Sequence, residues 1–186
     1  MTYPIYVYGH PVLRKVAKDI ERDHPGLDTL IADMFETMYN SDGLGLAAPQ
    51  IGKSLRLFVI DGEPLGEDHP EMKDFKKTFI NPQVVERKGE KVPMNEGCLS
   101  LPGIHEEVDR ESELRIQYYD TEWNFHDEVY KGYKARVVLH EYDHLDGILF
   151  PDRLSPLRRR LIRGKLNDLS KGKFTADYRT VLPNGK

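Results

Sequence analysis

The chain has 186 residues, enough for one domain with a proper core. Its formal net charge is −4, with 39% hydrophobic and 31% charged residues, so no global basic field points to nucleic acid. No apolar run approaches the roughly 18 residues of a membrane span. The first residues lack the basic start and long apolar run of a signal peptide, so a cytoplasmic location is expected. The single cysteine, Cys98, cannot form an intrachain disulfide and implies no oxidising compartment.

Residues 3–8 alternate weakly and predict a short strand, followed by a loop and turn through Ala17. Leu27, Leu30, Ile31, Met34 and Met38 recur at helical spacing and predict an amphipathic helix over 26–40. Gly43, Gly45 and Gly52 punctuate the next stretch. Leu55 to Ile60 is a dense apolar run expected to form a buried strand. Residues 61–76 read as an exposed polar loop. Strands are expected near 78–81, 83–88, 113–119 and 125–131, with a turn at Thr121–Asn124. A helix follows and stops at Gly147.

Ser155 and Pro156 give the next helix its N-cap and first residue. Leu157, Leu161, Ile162, Leu166 and Leu169 are expected on its inward side. Arg158, Arg159, Arg160, Arg163 and Lys165 make it basic, which suits a solvated face or a phosphate-rich partner. Phe174 to Val181 alternates as a last strand would. Residues 1–186 show no repeat, linker or second domain. Several strands with a few separate helices predict an α+β class rather than alternating βαβ units. The expected form is a compact single domain with antiparallel or mixed sheets around a central helix.

That helix carries His140-Glu141-Tyr142-Asp143-His144. Two histidines four apart share one helix face and can reach one metal ion. A glutamate beside the first ligand is placed to move a proton on a water the metal activates. The string also arises by chance on solvated helices. Here Ala135, Val138, Tyr142, Leu145 and Leu149 give the segment a buried side, which favours the metal site. Asp143 is a candidate acceptor for a ligand histidine's second N–H.

A catalytic metal normally takes three protein ligands and keeps one open position. Downstream of His144 there is neither histidine nor glutamate. Upstream, Cys98 in Glu96-Gly97-Cys98-Leu99-Ser100-Leu101-Pro102 is the best candidate, since thiolate binds divalent iron, zinc or cobalt well. A buried, inert cysteine is the rival reading. Glu96 and Arg110 form a possible supporting ion pair by residue type. The loop Gly43–Gly52 lacks the Lys-Ser/Thr of a phosphate loop, so nucleotide binding is not expected. Its Gln50 amide could donate to a developing oxyanion, although a tight structural turn would explain the same residues.

Together the three segments resemble peptide deformylase. The family pattern of a G-x-G-L-A-A-x-Q loop, an E-G-C-L-S segment and an H-E-x-D-H helix stands here as Gly43–Gln50, Glu96–Ser100 and His140–His144. Tyr8 to Arg14 also resembles the family's N-terminal stretch. The resemblance implies a compact α+β fold and removal of the formyl group from new polypeptides that start with formyl-methionine. It implies one divalent metal, iron(II) in the cell, replaceable by zinc, nickel or cobalt, on Cys98, His140 and His144. Glu141 is then general base and later acid. Gln50 and the Leu99 N–H form the oxyanion site. Leu44, Gly45 and Leu46 hold the substrate backbone as an added strand, and Leu99 and Leu46 are candidate walls beside the formyl group. His105 stands where some relatives carry a basic residue near the substrate. The expected partners are N-formylmethionyl nascent peptides, with the ribosome as a candidate contact for helix 156–169. No membrane contact or sequence-specific nucleic acid binding is expected. The competing readings are an HExxH metallopeptidase and a non-catalytic binder of nascent N-termini.

Overall fold

A computed structural model describes residues 1–184. Among them, five antiparallel strands form one sheet in the order β2 (Gly45–Ala47), β3 (Leu57–Asp61), β4 (Lys76–Glu96), β5 (Glu106–Tyr119) and β6 (Phe125–Lys131). A second, parallel pair joins β1 (Ile5–Tyr6) to β7 (Thr180–Val181). Three α-helices accompany the sheets: α1 (Leu27–Asn40), α2 (Gly132–Leu145) and α3 (Pro156–Ser170). The α+β class read from the sequence is the observed one.

The apolar stripe of α1 packs as its spacing predicts: Leu27, Leu30, Ile31, Met34 and Met38 are all buried with Leu46, Leu57 and Val59. The dense run of β3 is buried at every position from Leu57 to Asp61. Helix α2 is the central element. Ala135, Val138, Leu139, Tyr142 and Leu145 sit against Phe58, Phe79, Leu114 and Ile116 of the sheet. It ends where Gly147 takes φ 71°, a left-handed conformation that favours glycine. A Cβ there would also lie 2.5 Å from the Arg14 carbonyl oxygen.

Four expectations need correction. The strands expected at 78–81 and 83–88 are one strand, β4, bent by register shifts near Ile80, Val84 and Lys88. Its pairing with β5 runs on through Lys91 to Glu96, where only Val92 and Met94 alternate with exposed neighbours and give too short a signal to mark a strand. The 61–76 loop is anchored, because Met72 and Phe75 are buried beneath it. In α3, Ile162, Leu166 and Leu169 point inward, whereas Leu157 and Leu161 are 67% and 68% exposed. Their spacing put five leucine-type residues on one stripe, but the helix rests on the body only along its later turns. The strand expected over 174–181 is regular only at Thr180–Val181.

Candidate metal centre

Helix α2 turns two adjacent i, i+4 rows toward one cavity of about 490 Å³. One row is Tyr133, Val137 and Glu141. The other begins with Arg136 and His140, and its next member, His144, lies just beneath the cavity floor. Facing the rows is the turn after β4, which brings Cys98 to the helix. Ligand atoms of Cys98, His140 and His144 all lie within 4.8 Å of one another, with Cys98 Sγ 3.4 Å from His144 Nε2. Three N/S donors converging beside an open cavity suit a divalent metal with a free coordination position. Two buried polar atoms left without a hydrogen-bond partner among the described residues, His144 Nδ1 and Glu141 Oε2, also mark the place as built for something more.

His140 is oriented from behind. Its Nδ1 lies 2.7 Å from Glu96 Oε1. Burial would raise the Glu96 carboxyl, but hydrogen bonds from His140 and Arg110 outweigh it and hold the group well below the usual carboxylate range. An ionised Glu96 therefore accepts the Nδ1–H and leaves Nε2 for a metal. Arg110 forks onto Glu96 at 2.6 and 2.9 Å, so the ion pair proposed from residue type exists. Arg136 adds a third cationic contact to Glu96 at 2.7 Å. Asp143 does not touch a histidine. It is buried and binds Arg110 at 2.7 Å and Arg153 at 2.5 Å, so it acts on the ligands only through Arg110.

Glu141 is buried, and burial pushes its carboxyl up to about 7. A dication on the neighbouring ligands would favour its ionised form. Gly45 makes room for it: a Cβ at that position would lie 2.5 Å from Glu141 Oε1. Gly45 also belongs to β2, the edge strand of the sheet. The Leu44 carbonyl accepts from Asp61 N–H toward β3, so strand alternation turns the Gly45 N–H and C=O outward, unpaired by β3. Leu44 lines the cavity. Leu46 does not; its side chain is fully buried against α1.

Gln50 is fixed by its carbonyl oxygen, which accepts from Ala47 N–H at 2.9 Å. Its side-chain nitrogen donates to Ser100 Oγ at 3.2 Å and lies 3.5 Å from Cys98 Sγ. Leu99 lines the cavity, and among the described residues no acceptor takes its N–H. His105 lines the rim against Gly97. Sequence reasoning missed Arg136, Ser100 and Tyr178. Arg136 carried a signal, since it lies on the i, i+4 row of the two histidines. Ser100 and Tyr178 carried none.

A cysteine and two histidines converging within reach of one metal ion, a buried glutamate and a free strand edge on an α+β frame suit a metal-dependent hydrolase. The family model described as polypeptide deformylase matches residues 2–160. The peptide deformylase of Christiangramia forsetii is 48% identical over 193 aligned residues, covering 100% of this chain and 98% of that one. That of Cytophaga hutchinsonii is 50% identical, covering 98% of each chain. The crystal structure of peptide deformylase from Thermus thermophilus superposes with a TM-score of 0.81 at 44% identity, covering 92% of this chain and 99% of that one. The chain belongs to the polypeptide deformylase family.

Proposed function

We propose that the chain hydrolyses the N-terminal formamide of newly made polypeptides that start with formyl-methionine, releasing formate and a free amine. The observation that carries this reading is the convergence of Cys98, His140 and His144 beside a buried Glu141 and the open edge of β2. Cys98, His140 and His144 would hold one divalent metal, iron(II) in the cell, with zinc, nickel or cobalt as substitutes. Bound there, the ion would supply Lewis acidity and lower the pKa of a water.

The remaining work falls to the chain. The peptide enters extended and pairs with the outward N–H and C=O of Gly45 as an added strand. Leu44 and Leu99 wall the cavity beside the formyl end. Glu141 takes a proton from water as its oxygen attacks the formyl carbon. Negative charge then grows on the formyl oxygen, where the Gln50 side-chain amide and the Leu99 N–H donate to it. Each such donor is worth about 2.7–4 kcal/mol. Glu141 returns the proton to the departing amine nitrogen.

Newly made polypeptides arise in the cytoplasm, and that is the location this reading proposes for the protein. Arg158, Arg160, Arg163 and Lys165 surround the exposed Leu157 and Leu161 on α3, and this face is the proposed ribosome contact. The deciding experiment is formate release from a formyl-methionyl peptide by anaerobically prepared protein of measured metal content. Release that disappears in a folded Glu141→Ala protein, and in a Cys98→Ala protein that has lost metal, is the expected result. No release from wild type with a full metal complement would overturn the assignment.

A further inference from the structure

The family match ends at residue 160, yet Thr175, Ala176, Asp177 and Tyr178 line the same cavity as Cys98, His140 and Glu141. This segment is held in place from both sides. Beyond it, β7 pairs with β1: Ile5 N–H donates to the Arg179 carbonyl at 2.8 Å and Val7 N–H to the Val181 carbonyl at 3.0 Å. Within it, the half-buried Tyr178 packs with Leu99 against the α1 core, and its hydroxyl donates to the Leu99 carbonyl at 2.7 Å.

The carbonyls of the 98–100 turn are tied one by one. Cys98 C=O accepts from Leu101 N–H at 2.9 Å, and Ser100 C=O accepts from Tyr8 N–H at 2.8 Å. The Leu99 carbonyl between them depends on Tyr178 alone among the described residues. That same residue lines the cavity and carries an N–H with no acceptor among the described residues.

We propose that Tyr178 is a positioning residue for the reaction. It pins the Leu99 segment so that its N–H stays aimed at the formyl oxygen, and the residues before it complete the cavity wall. The inference rests on the deformylase reading. An oxyanion donor helps only if it is held in place before charge develops. Loosening it weakens the transition state and leaves ground-state binding largely unchanged, so the effect falls on kcat rather than KM.

The test is Tyr178→Phe, which removes one hydroxyl and keeps the ring. In the folded variant, kcat for a formyl-methionyl peptide should fall about tenfold, with KM and metal content unchanged. Amide exchange at Leu101, whose N–H spans the Leu99 turn, should accelerate. A folded, metal-replete variant with wild-type kcat would overturn the proposal, and so would a raised KM with kcat intact, the mark of a passive wall. If wild type itself releases no formate, the function reading fails. Leu101 exchange then decides the tether: acceleration in Tyr178→Phe supports it, and an unchanged rate overturns it.

Discussion

Glu141 is a buried carboxyl at the cavity wall with one oxygen unpartnered among the described residues. Such a group costs stability, and the cost depends on pH. Because its folded pKa is raised, to about 7, the native state binds the proton more tightly than the unfolded chain. Its contribution to stability is therefore fully present below the unfolded value near ~4.3 and is lost as pH rises through about 7. Metal-free Glu141→Gln should then be more stable than metal-free wild type at pH 8, by about 1–3 kcal/mol in urea unfolding, while losing formate release. The difference should vanish by about pH 4. Gly45 is the neighbouring case. A methyl there collides with Glu141, so Gly45→Ala should lower kcat/KM by at least about tenfold with little change in metal content. That Glu141, Cys98 and the two histidines belong together could be read from the sequence, because ligand chemistry needs particular side chains at particular spacings. The reason for Gly45 could not, since it lies in a contact between residues far apart in the chain.

The elements are locked together by charge more than their sequences disclose. Arg110 on β5 forks onto Glu96 at the end of β4 and reaches Asp143 on α2, all three buried. Removing it takes one cation from each of two buried carboxylates and leaves Glu96 to Arg136 and Asp143 to Arg153. Arg110→Ala should cost about 3–5 kcal/mol in chemical denaturation and weaken metal binding, because Glu96, the acceptor that orients His140, is then held by Arg136 alone among the arginines. The Glu96–Arg110 pair was legible from residue types beside the cysteine segment. The contribution of Arg153 was not, because arginine on a turn ordinarily reads as surface, and that of Arg136 showed only in its place on the row of the two histidines. The same limit hid the outer half of the β4–β5 ribbon. Its signal is short: Val92 and Met94 are half-buried between exposed neighbours on β4, and Val108 and Arg110 turn inward on β5. Helix α1 and β3 were read well because one buried face imposes a period on the sequence. Helix α3 shows the converse, a period that continues past the point where the helix leaves the body.

At the scale of the molecule, the three residues proposed to hold the metal come from two distant places, the turn after β4 and helix α2. Metal binding is therefore coupled to holding the sheet and central helix together. A divalent ion at 100 times its Kd should stabilise the fold by about 2.7 kcal/mol, and chelation should lower the melting temperature accordingly. Cys98→Ala should abolish most of that difference in a thermal scan. The parallel pair of β1 and β7 closes the architecture in another way. Residue 5 meets residue 180, so this contact joins strands separated by nearly the whole sequence. Closing a loop of that length is entropically unfavourable and gains support only after the intervening body exists. On the ribosome, β1 emerges early and waits for its partner through almost all of synthesis. The wall segment just before β7 arrives equally late, so the cavity stays incomplete until residues 175–178 have been made.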